Sequence, residues 1–186
     1  MRKAVLGAFV SALLTVPGGL AVAQQSHTDS FVPGTATDGR LVQEVRHQLV
    51  MLPYYTIFDD LGYNVQGSTV TLVGAVTRPT LKSDAENVVK RIEGVTQVVN
   101  QIKVLPVSDF DWQSRRALAR AIYGDPQIGT RYGNQALPSI HIIVDNGHVT
   151  LEGVVANDFD KNLIGIRANS VPNVFSVTNN LRVVKG

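Results

Sequence analysis

The chain has 186 residues, with 17 Lys and Arg against 15 Asp and Glu, and it contains no cysteine. Without cysteine, disulfide bonds, thiol catalysis and cysteine metal sites are excluded, so the fold must rest on its apolar core. The formal net charge of +2 comes from Arg2 and Lys3, and without them the basic and acidic counts are equal. A nucleic-acid-binding role, which needs a net basic surface, is therefore not expected.

The first 23 residues have the pattern of an export signal. Arg2 and Lys3 precede an uncharged run over residues 4–22, which ends in an Ala-Val-Ala cleavage sequence. A Pro-Gly-Gly sequence breaks this run ahead of the cleavage site, which favours a signal peptide over a retained N-terminal anchor. We therefore predict cleavage after Ala23 and a periplasmic location, with secretion as an alternative. Residues 24–37 are polar and turn-rich, and they predict a flexible leader.

Two segments of the remaining chain repeat each other. Residues 70–105 align with residues 149–184 at a shift of 79 positions without a gap, and ten of the 36 aligned pairs are identical. Such a repeat indicates one small structural unit that has been duplicated in tandem. We place the first unit at residues 38–106 and the second at 110–186, joined by a short link.

The sequences of the two units predict the same order of helices and strands. In the first, apolar residues recur at helical spacing up to Pro53, and a turn at Gly67 separates two strands. Pro79 then opens a second helix, and Gly94 closes it. The predicted elements of this unit are a helix over 41–52, strands over 63–66 and 69–76, a helix from 79 to 93 and a strand over 95–105.

The second unit predicts helices over about 111–123 and from Asn157, with a hairpin between them. Asn-Gly between alternating apolar strands is a strong hairpin signal, and a two-residue turn there sets the register. Ile142 then faces Leu151 on the core side. His141 faces Glu152 on the other side, which we expect to be open to water or to a partner. The fold class is α+β, with two tandem αββαβ units, each a small mixed three-stranded sheet with two helices packed on one face.

The shared motifs resemble the BON domain (bacterial OsmY and nodulation). The first unit has V-T-L-x-G from Val70 and G-V-x-x-V-x-N-x-I over residues 94–102, and the second repeats them from Val149 and Val174. Asn173, after a proline, departs from the glycine of the first copy. The resemblance implies an exported, non-enzymatic module without catalytic residues, associated with phospholipid surfaces or other envelope components and with osmotic or envelope stress.

One polar cluster on the predicted hairpin could in principle carry chemistry. His141 and Glu152 face each other near Asp145 and His148, and imidazole with carboxylate can hold zinc or transfer protons. The favoured interpretation is ordinary polar pairing on a wet sheet face, because the first unit has neither His nor Glu at the equivalent positions. We therefore predict no metal, no cofactor and no catalytic residue.

Aromatic residues after Pro53 form a second candidate site. Tyr54, Tyr55 and Phe58 lie beyond the predicted helix, and aromatic rings with polar tips suit a membrane interface. The alternative, which we favour, is a loop folded back over the end of the core.

Three arginines form a third candidate. Arg115, Arg116 and Arg120 lie close together on the first helix of the second unit, where they could meet phosphate headgroups. A solvated helix face is the simpler interpretation.

The sequence thus predicts a non-enzymatic envelope protein that associates with phospholipid surfaces or envelope proteins, with no small-molecule substrate. One alternative is a periplasmic protein-interaction scaffold that uses an open sheet face or a sheet edge. A weaker alternative is a small-ligand or ion sensor built on the His141 cluster.

Overall fold

The structure, a computed structural model, describes residues 28–31, 39–135 and 138–184. It is an α+β protein with two mixed sheets, one in each unit. The predicted signal peptide lies outside the described residues. In chain order the elements are β1 (Thr28–Asp29), α1 (Arg40–Val50), β2 (Asp60–Gln66), β3 (Thr69–Val76), α2 (Pro79–Lys90), β4 (Gln97–Asn100), β5 (Lys103–Val104), α3 (Asp109–Tyr123), α4 (Pro126–Tyr132), β6 (Ile140–Asp145), β7 (His148–Val155), α5 (Asp158–Asn169), β8 (Ser176–Asn179) and β9 (Arg182–Val183).

The two sheets have the same topology. In the first, β2 pairs with β3 antiparallel and β4 pairs with β3 parallel; in the second, β6, β7 and β8 do the same. The predicted hairpin register is confirmed, since Ile142 pairs with Leu151 and His141 pairs with Glu152. The core side is also confirmed, because Ile142 and Leu151 are fully buried. Alternation of apolar and polar residues therefore specified which face of this hairpin packs on the core of the second unit.

An asparagine shared by both units holds the last strand to the second helix. The side-chain amide of Asn100 donates to the backbone carbonyl of Lys82 over 3.0 Å, and that of Asn179 donates to the carbonyl of Lys161 over 2.9 Å. In each unit the predicted last strand is broken just after this residue, into β4 and β5 or β8 and β9. The repeated asparagine thus satisfies a helix carbonyl at the point where the strand ladder is interrupted.

Two elements were not predicted. β1 lies in the segment expected to be a flexible leader, yet it pairs antiparallel with β2, and Phe31 just after it is only 2% exposed. α4 follows α3 after a short turn, where the Asp125 side chain accepts the backbone N–H groups of Gln127 and Ile128 as an N-cap. α4 has only 7 residues, which are too few to show a helical period in the sequence.

Each unit has its own apolar core, and the two units also touch. The N–H of Ile142 on β6 donates to the carbonyl of Ile57 over 2.7 Å, and Lys103 of β5 pairs with Asp145. Phe58 of the first unit packs against the core of the second. Within the described ranges, no helix combines the length and the apolar character that crossing a bilayer requires.

Candidate functional site

A buried carboxylate fixes the start of α3 to the β6–β7 turn. Asp111 is fully buried, and its carboxylate accepts the backbone N–H groups of Asn146 over 2.9 Å and Gly147 over 2.8 Å. The hydroxyl of Ser108 caps the helix by accepting the N–H of Asp111. The first turn of α3 therefore has a defined position relative to the hairpin tip.

Two aromatic rings lie at this hairpin tip. The backbone N–H of Phe175 donates to the carbonyl of Gly147 over 2.9 Å, and its ring lies over the turn. Gly147 has φ +79, and a Cβ there would come within 2.7 Å of the Phe175 ring, so the turn needs glycine for two reasons. Phe110 stacks beside Phe175 with ring centroids 5.8 Å apart. Both rings are open to solvent, since Phe110 is 40% and Phe175 is 68% exposed.

Two exposed arginines continue this surface along α3. Arg116 and Arg120 are exposed, and with Phe110 they line a hollow of about 390 Å³. Arg120 also borders an open groove of about 940 Å³ between α3, α4 and Ile57 of the first unit. Trp112 is 47% exposed on the same helix. Four of these residues lie on α3, and the fifth is the phenylalanine stacked beside them. We call the five together the α3 patch: Phe110, Trp112, Arg116, Arg120 and Phe175.

The structure separates Arg115 from the other two arginines. Arg115 is only 4% exposed, and its guanidinium donates to the carbonyl of Val144 over 2.6 Å. Burial lowers the pKa of this guanidinium. It lies one turn after Asp111 and so shares the helix side that faces the hairpin. The grouping of all three arginines on one accessible face is therefore wrong, because neighbours in sequence point in different directions on a helix.

The aromatic loop is divided in the same way. Tyr54 is 67% exposed, and the guanidinium carbon of Arg78 lies 4.7 Å from its ring centroid. Tyr55 instead lies between the units, where its ring stacks on His141 at 5.5 Å and burial raises the pKa of its hydroxyl. Phe58 meets Trp112 edge to face at 5.8 Å. Tyr55 packs against the core of its own unit, whereas Phe58 packs against the core of the second unit.

The prediction that His141 lies on an open sheet face is wrong. His141 is 1% exposed, and its ring nitrogens lie 2.5 Å from the carbonyl oxygen of Asp59 and 3.1 Å from that of Pro138. Phe31 stacks on its ring at 4.1 Å. Burial lowers the pKa of this imidazole, although both carbonyls favour its charged form. The first unit covers this part of the second sheet, which no pattern within one unit could reveal.

The other members of the predicted cluster are each engaged with separate partners. Glu152 accepts the side-chain amide of Asn180 over 2.7 Å, and His148 lies 2.8 Å from the hydroxyl of Ser176. Asp145 pairs with Lys103. Among the residues that the structure describes, no three His, Asp or Glu side chains are grouped so that they could hold a metal ion.

Sequence reasoning missed the three aromatic residues of the α3 patch. None of Phe110, Trp112 and Phe175 was among the candidate site residues. The available signal was that Phe110 and Trp112 are two positions apart, so that on a helix they cannot both lie on one inward stripe.

A profile of the BON domain matches the chain over residues 37–106 and 127–185. The protein belongs to the BON domain family. The BON domain is a non-catalytic, binding-type domain, and proteins that carry it are typically periplasmic or envelope-associated. The first matched segment contains α1 to β5. The second begins after α3, so most of the α3 patch lies outside it.

Similar solved structures are two of CdsD, a structural protein of the type III secretion system of Chlamydia trachomatis. The first, of its C-terminal domain, is 13% identical with a TM-score of 0.31, and the match covers 79% of this BON-domain chain and 98% of that chain. The second is 13% identical with a TM-score of 0.32, covering 78% and 93%. At these TM-scores the likeness carries no functional argument. No curated protein matches the chain.

Proposed function

We propose that this protein is exported to the periplasm, catalyses nothing, and attaches to anionic phospholipid surfaces through the α3 patch. One observation carries the proposal: exposed aromatic rings at the start of α3 are followed along the same helix by two exposed arginines, which line one hollow with Phe110. Aromatic rings favour the membrane–water interface, and arginine binds phosphate groups well. The family's association with the envelope agrees with this choice of partner.

The expected affinity of the patch is low. A basic side chain near an anionic membrane contributes about 1 kcal/mol, so Arg116 and Arg120 together contribute about 2 kcal/mol. The exposed rings add apolar contact area at the headgroup boundary. Arg115 contributes nothing here, because it is buried against Val144.

A membrane contact on the first unit would strengthen the weak membrane contact that the α3 patch makes on the second unit. Tyr54 and Arg78 present an exposed ring and an exposed cation together. Linking two weak contacts in one chain raises the effective concentration of the second, so the pair binds more tightly than either alone. We include this pair in the proposed surface, as the part that the first unit supplies.

Liposome flotation of the mature chain tests the proposal. Vesicles rich in phosphatidylglycerol should carry the protein upward at low salt, and flotation should fall as salt rises, because screening weakens exposed charge pairs. Replacing Arg116 and Arg120 together with Ala should lower the partition coefficient by roughly 10- to 30-fold, the equivalent of about 2 kcal/mol. Phosphatidylcholine vesicles should bind much less.

A matched control separates the patch from general charge. Arg91→Ala removes an exposed arginine of the first unit outside the proposed surface, and it should leave flotation unchanged within about twofold. Phe110→Ala with Phe175→Ala should reduce flotation even at low salt, because it removes the apolar contact. No flotation of the unmodified chain, or equal losses from Arg91→Ala and from the double arginine change, would refute the proposal.

A further inference from the structure

A short N-terminal segment contacts both units at once. Residues 28–31, which we call the strap, comprise β1 and the two residues after it. Asp29, Ser30 and Phe31 are all at most 4% exposed. This burial shows that the strap is packed between the two units.

On the first unit the strap occupies a sheet edge. Thr28 pairs with Tyr63 and Asp29 pairs with Gly62 in antiparallel register, and the N–H of Ser30 donates to the carbonyl of Leu61 over 2.7 Å. An exposed sheet edge is a common acceptor for an extended peptide, because backbone hydrogen bonds do not depend on the incoming side chains. The edge of β2 is therefore the part of the site that would accept any extended segment.

On the second unit the strap is recognised through two side chains. Asp29 forms an ion pair with Arg182, whose side chain is 50% exposed. Phe31 stacks on His141, with ring centroids 4.1 Å apart and planes 20° apart. The His141 ring is itself oriented by the carbonyls of Asp59 and Pro138. A cation and an oriented flat ring thus select a carboxylate followed two residues later by an aromatic side chain.

We propose that this cleft between the two units is a peptide-binding site for extended segments with an Asp-x-aromatic sequence, and that the strap occupies it in cis. The β2 edge supplies the backbone partners, Arg182 receives the carboxylate, and His141 receives the ring. The external ligand is a segment of an envelope protein with this same chemistry. None of these residues belongs to the α3 patch, so the inference is independent of membrane attachment.

Tethering makes the strap an effective competitor. Only seven residues, 32–38, join the strap to the first unit, and a ligand linked over so short a stretch of chain has an effective concentration on the order of millimolar. A free peptide of similar intrinsic affinity must therefore approach that concentration to displace the strap. The intact chain is expected to be nearly closed to such peptides, and weakening or cutting the strap opens the site.

The test uses the mature chain with a protease recognition sequence inserted after Pro33. Cutting removes the covalent tether, so that the strap can dissociate on dilution and leave the site to the added peptide. A fluorescently labelled peptide of residues 24–33 should then bind, which fluorescence anisotropy measures, and should bind the uncut chain at least about 10-fold more weakly. Versions of the peptide with Asp29→Ala or Phe31→Ala should each bind the cut chain at least about 10-fold more weakly than the unchanged peptide.

An Arg182→Ala variant of the cut chain supplies the matched control. It should weaken the unchanged peptide but leave the Asp29→Ala peptide unaffected, because that peptide has no carboxylate to lose. The inference fails if the cut chain, still folded by circular dichroism, does not take up the labelled peptide. It also fails if all three peptides bind equally, or if the chain unfolds once the strap leaves, since the strap would then be part of the fold rather than a ligand.

Discussion

The contact between Asp111 and the β6–β7 turn permits a quantitative stability prediction. The carboxylate is fully buried and accepts two backbone N–H groups, those of Asn146 and Gly147, at 2.9 and 2.8 Å. Hydrogen bonds to a charged group contribute about 1.5–3 kcal/mol each. Two of them give roughly 3–6 kcal/mol, and water reaching the turn recovers part of this, so Asp111→Ala should cost about 3 kcal/mol. That is a large part of the ~5–15 kcal/mol by which a typical domain is stable.

Urea unfolding followed by tryptophan fluorescence measures this cost. The chain has a single tryptophan, Trp112, and it is the immediate neighbour of Asp111, so its emission reports on the second unit. The midpoint should fall while the slope stays the same, which indicates lost stability rather than a changed unfolded state. Asp111→Asn retains one oxygen acceptor. Its urea midpoint should therefore lie between those of the unmodified chain and of Asp111→Ala.

Asp109→Ala is the matched control for this prediction. Asp109 also lies in the first turn of α3, but it is exposed. Its removal should cost at most about 1 kcal/mol, the favourable interaction of a carboxylate with the start of a helix. If Asp111→Ala costs no more than Asp109→Ala, the carboxylate does not hold the helix to the hairpin. In that case Asp111→Ala should also leave liposome flotation unchanged, because the position of the α3 patch would not depend on this contact.

Three further outcomes follow from buried or strained positions. Burial holds the pKa of His141 below 6.5, so the folded chain binds fewer protons than the unfolded one; stability should be constant above about pH 6.5 and fall below it. His141→Gln should flatten that slope in urea midpoints between pH 7.5 and 5.5. Gly153→Ala should cost more than about 2 kcal/mol in the same assay, since φ is +129 and the new Cβ would lie 2.0 Å from the carbonyl oxygen of Ser139. Arg167→Ala should raise the carboxyl pKa of Asp125, which its guanidinium lowers, as NMR titration of that carboxyl would show.

Local patterns were sufficient for the helices and strands that the two units share. Alternating apolar residues and an Asn-Gly turn predicted the pairing of Ile142 with Leu151, because a two-residue turn leaves no freedom of register. The departure at Asn173 is tolerated for a related reason. Asn173 has φ +66 where the first unit has Gly94 at φ +96, and asparagine is among the few residues that accept the left-handed region.

The candidate site was less predictable, because it depends on direction and on neighbours. Arg115 and Arg116 are adjacent in sequence, yet one donates to a strand carbonyl inside the protein and the other is exposed. The ring of Phe175 joins that of Phe110 across more than sixty residues of chain. Periodicity identifies which side of a helix is buried, but it cannot indicate which distant ring completes a surface.

The sequence by itself determined the two α+β units, their hairpin register and their family, because a repeated local pattern of turns and apolar positions specifies each unit independently of the other. Only the tertiary structure decided how the units meet. It buried His141 under Phe31 and Tyr55, and it turned part of an expected flexible leader into the strap. Contacts of this kind join residues that have no fixed spacing in the chain. They therefore produce no repeating pattern in the sequence from which they could be predicted.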